Sequence, residues 1–277
     1  MKRVISLYIF VALLCGCMKE SHFDDGFHQR LVVEGRIEQG REAVVMLSLT
    51  TPYADNYDED TFRDMIIRWA QVTVICDEHS EVLTGRANKD YPTQFIYTGL
   101  DIIGEVGKSY TLEVEYSGQK WSATTTIPEP IELTDIKVNC VGDDQYTISA
   151  TLANSSTPSS VDCSLDGSSY FAPTLIGTYA PSTVEREITI NRPLDNFIRK
   201  GYSTVYKADE VVRLRVNTMC DFGYDYWRAW ENNVINSLNP VFPATSNLPS
   251  NISNGGIGIW AGYGTTYYNL GEIKQLF

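Results

Sequence analysis

The sequence predicts an all-β protein: two β-sandwich domains, with a short helix and a long irregular loop near the C terminus. Three observations lead there. Apolar residues alternate with polar ones in short runs along most of the chain, a period of two that belongs to half-buried strands. Ile127-Pro128-Glu129-Pro130 breaks that rhythm near the middle, and two prolines around one residue make a stiff, extended connection between domains. Helical spacing surfaces late, where Tyr226, Trp227, Trp230, Val234 and Leu238 fall on one face.

The chain opens with Met1, Lys2 and Arg3, then eleven uncharged residues from Val4 to Leu14. That run is too short for a spanning helix, which needs about 20 apolar residues. A basic start, a short apolar run and small residues behind it describe a secretory signal, residues 1–16. Leu14-Cys15-Gly16-Cys17 looks like a bacterial lipobox, so Cys17 is the expected lipidation site, carrying diacylglycerol and an added acyl chain such as palmitate. Several acyl chains hold a protein on a membrane where one myristoyl chain binds reversibly. Residues 17–29 are polar and aperiodic, a flexible tether. Its Lys19-Glu20 pair is similar to the lysine-plus-acid signal that sends Bacteroidetes lipoproteins to the outer face of the outer membrane, so the expected location is lipid-anchored and facing the cell exterior.

Residues 30–128 make the first sandwich. "RLVVEGRIEQG", "EAVVMLSLTTP", "AQVTVICDEHSEVLTG", "PTQFIYTGL", "KSYTLEVEYSG" and "QKWSATTTIPEP" alternate and are punctuated by turn residues, with Ser117-Gly118 a hairpin turn. The segment Leu31 to Pro128 is similar in pattern to prealbumin-like and carboxypeptidase-regulatory sandwiches: Val33-Glu34-Gly35 opens it, Ala70 to Val74 supplies the central strand, and Gly107 to Gly118 closes around Tyr110. Such a similarity speaks for fold and not for catalysis.

Residues 129–277 make the second, immunoglobulin-like sandwich, through "IELTDIKVNCV", "QYTISATLAN", "SSYFAPTLIG", "VEREITI" and "DEVVRLRVNTMC". The helix follows Asp221. A proline-, asparagine- and glycine-rich loop comes next, and "GIGIWAGYGTTYYNLG" is the last strand. Tyr224, Phe242, Tyr267 and Tyr268 join other aromatics in this last quarter. Trp227, Trp230, Trp260 and Tyr263 are the expected partner or ligand surface, since such side chains combine apolar area with a polar handle.

With 22 basic and 35 acidic residues the net charge is −13, and loss of Lys2 and Arg3 with the leader makes it more negative. Such a field repels phosphate backbones, so no nucleic-acid partner is expected. Cys76, Cys140, Cys163 and Cys220 remain after export, and Cys140 with Cys163 closes the shortest loop, the expected disulfide; buried thiols are the alternative. No GxSxG, HExxH, GxxxxGK[ST] or GxGxxG stretch occurs. His79, behind "CDE", reads as a surface residue of a hairpin turn, so no catalytic residue is assigned and the chain is expected not to be an enzyme. The acidic run Asp55 to Asp64 has Tyr57 and Phe62 where a calcium loop needs oxygen. It reads as a solvated loop, with no metal and no cofactor beyond the lipid on Cys17.

Taken together, Cys17, the "LVVEG" opening (Leu31 to Gly35), "TTPY" (Thr50 to Tyr53), "TTTIP" (Thr124 to Pro128) and "SNISNGGIGIWAGYG" (Ser250 to Gly264) resemble the Bacteroidetes outer-membrane lipoprotein family called domain of unknown function 4249. The resemblance implies a lipoprotein encoded beside a TonB-dependent transporter and acting in nutrient import. The expected function is therefore an accessory binding component that captures or gates without a covalent step, with a TonB-dependent transporter and an unspecified small-molecule, glycan or peptide ligand as partners. A fimbrial-type structural or adhesive subunit is the alternative.

Overall fold

The computed structural model describes residues 28–51, 63–193, 204–237 and 247–276. The leader, Cys17, most of the tether, most of the acidic run and Phe242 lie outside the described residues. The fold is all-β, with fifteen strands in three sheets among the described residues. In the first half β1 (Leu31–Glu38) and β2 (Glu42–Leu49) form a hairpin, followed by β3 (Gln71–Cys76), β4 (His79–Val82), β5 (Thr84–Ala87), β6 (Phe95–Ile103), β7 (Ser109–Tyr116) and β8 (Gln119–Thr126). Beyond Pro128 come β9 (Leu133–Gly142), β10 (Gln145–Leu152), β11 (Ser159–Leu165), β12 (Ala172–Tyr179), β13 (Arg186–Ile190) and β14 (Val211–Thr218). Helix α1 (Asp221–Ser237) and β15 (Ile257–Glu272) follow, and a single 3-10 turn (Ile273–Gln275) comes after them. The β7–β8 turn is the expected Ser117-Gly118 pair, with φ of 51° and 75°, the doubly positive geometry that matches strand twist. His79 lies just past its turn, exposed at the start of β4.

The large sheet runs β12-β11-β14-β15-β1-β2-β6-β5, and two small sheets, β4-β3-β7-β8 and β13-β10-β9, complete the set. Alternation decides what each strand buries. Leu31, Val33 and Ile37 of β1 join Val45, Val72, Leu112 and Trp121 in the first core. Val161, Leu214 and Val216 meet Ile148, Leu152 and Ile190 in the second. Each such side chain contributes about 1.5–3 kcal/mol on burial.

Glu129 lies between the strands of the first core and those of the second, yet the large sheet is common to both. The last strand, expected to return to the C-terminal sandwich, does more: β15 pairs antiparallel with β14 and parallel with β1, from Val32 opposite Ile257 to Glu38 opposite Tyr263. Parallel neighbours need a long crossover, and here β2 to β14 and a helix, residues 39–256, make up that crossover. Two glycines admit this pairing. Gly258 has φ 111°, and a Cβ there would sit 1.9 Å from Val33 O. Gly35 lies under the Trp260 indole, where a Cβ would meet Cε3 at 2.8 Å.

Candidate functional site

The face of the large sheet turned away from the two cores carries charge at its centre. On β1 the residues that alternate with the core positions are Glu34, Arg36 and Glu38. On β14 and β11 the same face presents Arg215 and Asn217, and Asp162, and on β15 it presents Tyr263 and Tyr267. Glu38, Asp162, Arg215 and Asn217 are buried, so their charges are costly unless matched.

They are matched closely. Arg215 donates from Nε and Nη2 to Asp162 Oδ2 at 3.1 and 2.7 Å, from Nη2 to Phe171 O at 3.2 Å, and from Nη1 to Glu38 Oε1 at 3.0 Å. Arg36 Nε lies 2.5 Å from Glu38 Oε1, and its Nη2 donates to Asn217 Oδ1 at 3.2 Å. Asn217 Nδ2 donates to Asp162 Oδ2 at 2.8 Å, and the Tyr267 hydroxyl donates to Glu38 Oε2. Burial alone would raise the Glu38 carboxyl, but Arg36, Arg215 and Tyr267 together hold it at about 2. Asp162 and Glu38 likewise raise the Arg215 guanidinium against its burial.

Glu34 is different. No hydrogen bond or ion pair engages its carboxylate among the described residues, and burial pushes it up to about 7, with Asp162 adding to the rise and Arg36 and Arg215 only partly opposing it. It lies in the wall of a cleft over β1 that encloses about 30 Å³ and opens to solvent. Tyr91, Tyr170, Phe171, Trp227 and Tyr263 are the aromatic part of the lining, with Met46 and Pro173 among the apolar remainder. The Tyr263 hydroxyl accepts from Trp227 Nε1 at 2.9 Å, and burial raises the Tyr263 phenol to about 12.

Two loops, one from each half of the chain, meet over this cleft. The Tyr91 and Tyr170 rings lie 5.1 Å apart. Beside them Asn88 Nδ2 donates to Ser169 Oγ at 3.2 Å, and Ser169 N donates to Asp90 Oδ2 at 2.7 Å. Helix α1 forms another wall, held to the sheet where Thr178 N donates to Glu231 Oε1 at 2.9 Å.

Of the expected aromatic surface, Trp227 and Tyr263 do come together in the cleft. Trp230 lies one turn along α1, its ring 5.7 Å from that of Trp227, beside a narrow crevice under Glu231. Trp260 is a correction: it is fully buried in the first core, and its Nε1 donates to Tyr110 O at 2.9 Å. One step of strand alternation puts Trp260 on the opposite face from Ile259, Ala261 and Tyr263. The expected Cys140–Cys163 disulfide is also corrected. Cys140 is exposed on β9 with its Sγ donating to Gly142 O at 3.3 Å, whereas Cys163 is buried on β11 of the other sheet, with the Tyr206 hydroxyl 3.8 Å from its Sγ. Cys17 lies outside the described residues.

The charged residues of the cleft were legible only as alternation: "VEGRIE" and "VRLRVN" place them opposite core positions, which in an isolated strand reads as a solvent face. No group of three His, Cys, Asp or Glu side chains suited to a metal occurs among the described residues. No helix among them is long and apolar enough to cross a membrane. No curated protein matches the sequence. The family profile described as Domain of unknown function (DUF4249) matches residues 20–268, nearly the whole chain, and the chain belongs to that family.

Proposed function

We propose that this protein is a lipid-anchored capture component of a nutrient-import system, held at the outer membrane through Cys17 and working beside a TonB-dependent transporter. The cleft over β1 is where it binds, and binding is non-covalent. The observation that carries this reading is the unengaged Glu34 carboxylate inside an aromatic cleft. A half-buried carboxylate without a partner costs free energy in the empty protein, and a ligand that supplies the partner recovers it. The loops bearing Tyr91 and Tyr170, joined by polar contacts rather than a packed core, form the natural gate.

The lipobox at Leu14 to Cys17 and the polar tether behind it support the anchor and the reach. The test is affinity purification of the tagged protein from outer membranes in mild detergent. A barrel transporter recovered in one-to-one amount is the expected result. Recovery of the lipoprotein alone, or as polymers joined through exchanged strands, overturns the import reading.

A further inference from the structure

We infer that the ligand class of the cleft is a primary ammonium: an organic cation whose protonated amine pairs with Glu34 while its carbon chain lies against Tyr91, Tyr170 and Trp227. The inference rests on the capture reading above and gives its ligand a chemistry.

The donors and acceptors around the cleft decide the sign of the guest. Both guanidinium groups lie against carboxylates. Arg215 is committed to Asp162, Glu38 and Phe171 O, while Arg36 donates to Asn217 through Nη2 and lies 2.5 Å from Glu38 Oε1 without an aligned hydrogen bond at Nε. An anionic guest would face three carboxylates. The acceptors, by contrast, are in surplus. Glu34 has no partner, and the four close contacts at Asp162 all fall on Oδ2, leaving Oδ1 outside the network. A cation meets unsatisfied oxygens without breaking anything.

The walls decide its shape. The accessible space in the cleft is about 30 Å³, more than the roughly 10–15 Å³ that one water needs, and it accepts an ammonium head. A bare divalent ion would want six or more oxygens, and the lining is largely aromatic and aliphatic. Ring faces favour a cation beside them. Those of Tyr263 and Phe171 already hold Arg36 and Arg215, at 4.6 and 5.0 Å. The rings left for a guest are those of Tyr91, Tyr170 and Trp227.

The pairing depends on pH through Glu34. The groups around it are Arg36 on its own strand, Asp162 from β11, Arg215 from β14, Tyr226 and Tyr263 from α1 and β15, and Tyr91 and Tyr170 from the loops. Burial raises the phenols of Tyr91, Tyr170, Tyr226 and Tyr263 above their ordinary range. Glu34, raised to about 7, ionises around that value, so affinity for an amine that stays protonated rises about tenfold from pH 6 to pH 8.

The test is calorimetric titration of the full-length protein in a maltoside detergent with n-butylammonium, n-butanol and butyrate. Butylammonium is expected to bind at least about tenfold tighter than either, with the stated pH dependence. Glu34→Gln is expected to remove both the preference and the pH dependence while melting as a folded protein. Tighter binding of butyrate or butanol overturns the ammonium inference and leaves the cleft a capture site. Equal butylammonium binding by wild type and Glu34→Gln, or no binding of any probe, overturns it as well. The import reading stands or falls separately on the transporter purification.

Discussion

Glu38 on β1 and Arg215 on β14 are joined at 3.0 Å across the intervening strand β15, although 177 residues separate them in sequence. The pair ties the first half of the chain to the second on the same sheet, and it does so with buried charge. Breaking it is therefore expensive. Arg215→Met leaves Glu38 and Asp162 without their main cation and is expected to cost about 3–5 kcal/mol, read as a lowered urea midpoint with unchanged slope. A change below about 1 kcal/mol would mean that the network does not join the halves.

Two carboxyls on one strand make opposite contributions to the pH dependence of stability. Glu38, held at about 2 against an ordinary 4.5, stabilises the fold fully above about pH 4.5, and that contribution is lost as pH falls toward 2. Glu34, raised from 4.5 to about 7, binds its proton more tightly in the folded protein. Stability therefore falls as pH climbs from about 4.5 through 7, by roughly 2–3 kcal/mol in all. Glu34→Gln is expected to recover most of that loss at pH 8 and to change little at pH 4. Denaturation curves of the two proteins at both pH values check the sign. A variant less stable than wild type at pH 8 would contradict it.

Gly35 is the contact point between the opening strand and the buried indole of Trp260. Gly35→Ala places a methyl group 2.8 Å from Trp260 Cε3 in a core with no room to yield, at an expected cost of about 1–3 kcal/mol. The quenching and exposure of Trp260 fluorescence follow the same substitution. Equal stability of the variant and the wild type would show that the indole does not rest on β1.

Cys140 is exposed and stands apart from Cys163. A maleimide reagent is expected to label Cys140 in the folded protein, and a reducing agent is expected to leave its thermal midpoint unchanged. Protection of Cys140 until reduction would restore the disulfide.

Much of the fold was legible because a period of two is a local signal. The strands, the Ser117-Gly118 turn, the helix of Trp227 and Trp230, and the proline break all follow from neighbours in sequence. The partnership of β1 with β15 was not legible, since parallel pairing joins the two ends of the chain and leaves no turn between them. The site was hidden for a related reason. Glu34, Arg36 and Glu38 alternate with core residues just as a solvated face does, and Asp162 and Arg215, which meet them in the folded protein, come from the other half of the chain. Trp260 and Tyr263 show the same limit from the other side: both are large aromatics in one strand, and an odd spacing alone sends one to the core and the other to the cleft.

A ligand held in the cleft over Glu34 would leave the cell with the protein. Native mass spectrometry of the full-length protein extracted from cells in maltoside detergent, with Glu34→Gln prepared in parallel, measures this most directly. A small basic molecule is expected to be retained by the wild type and absent from the folded variant. Bare protein in both, or the same molecule retained equally by both, would contradict it.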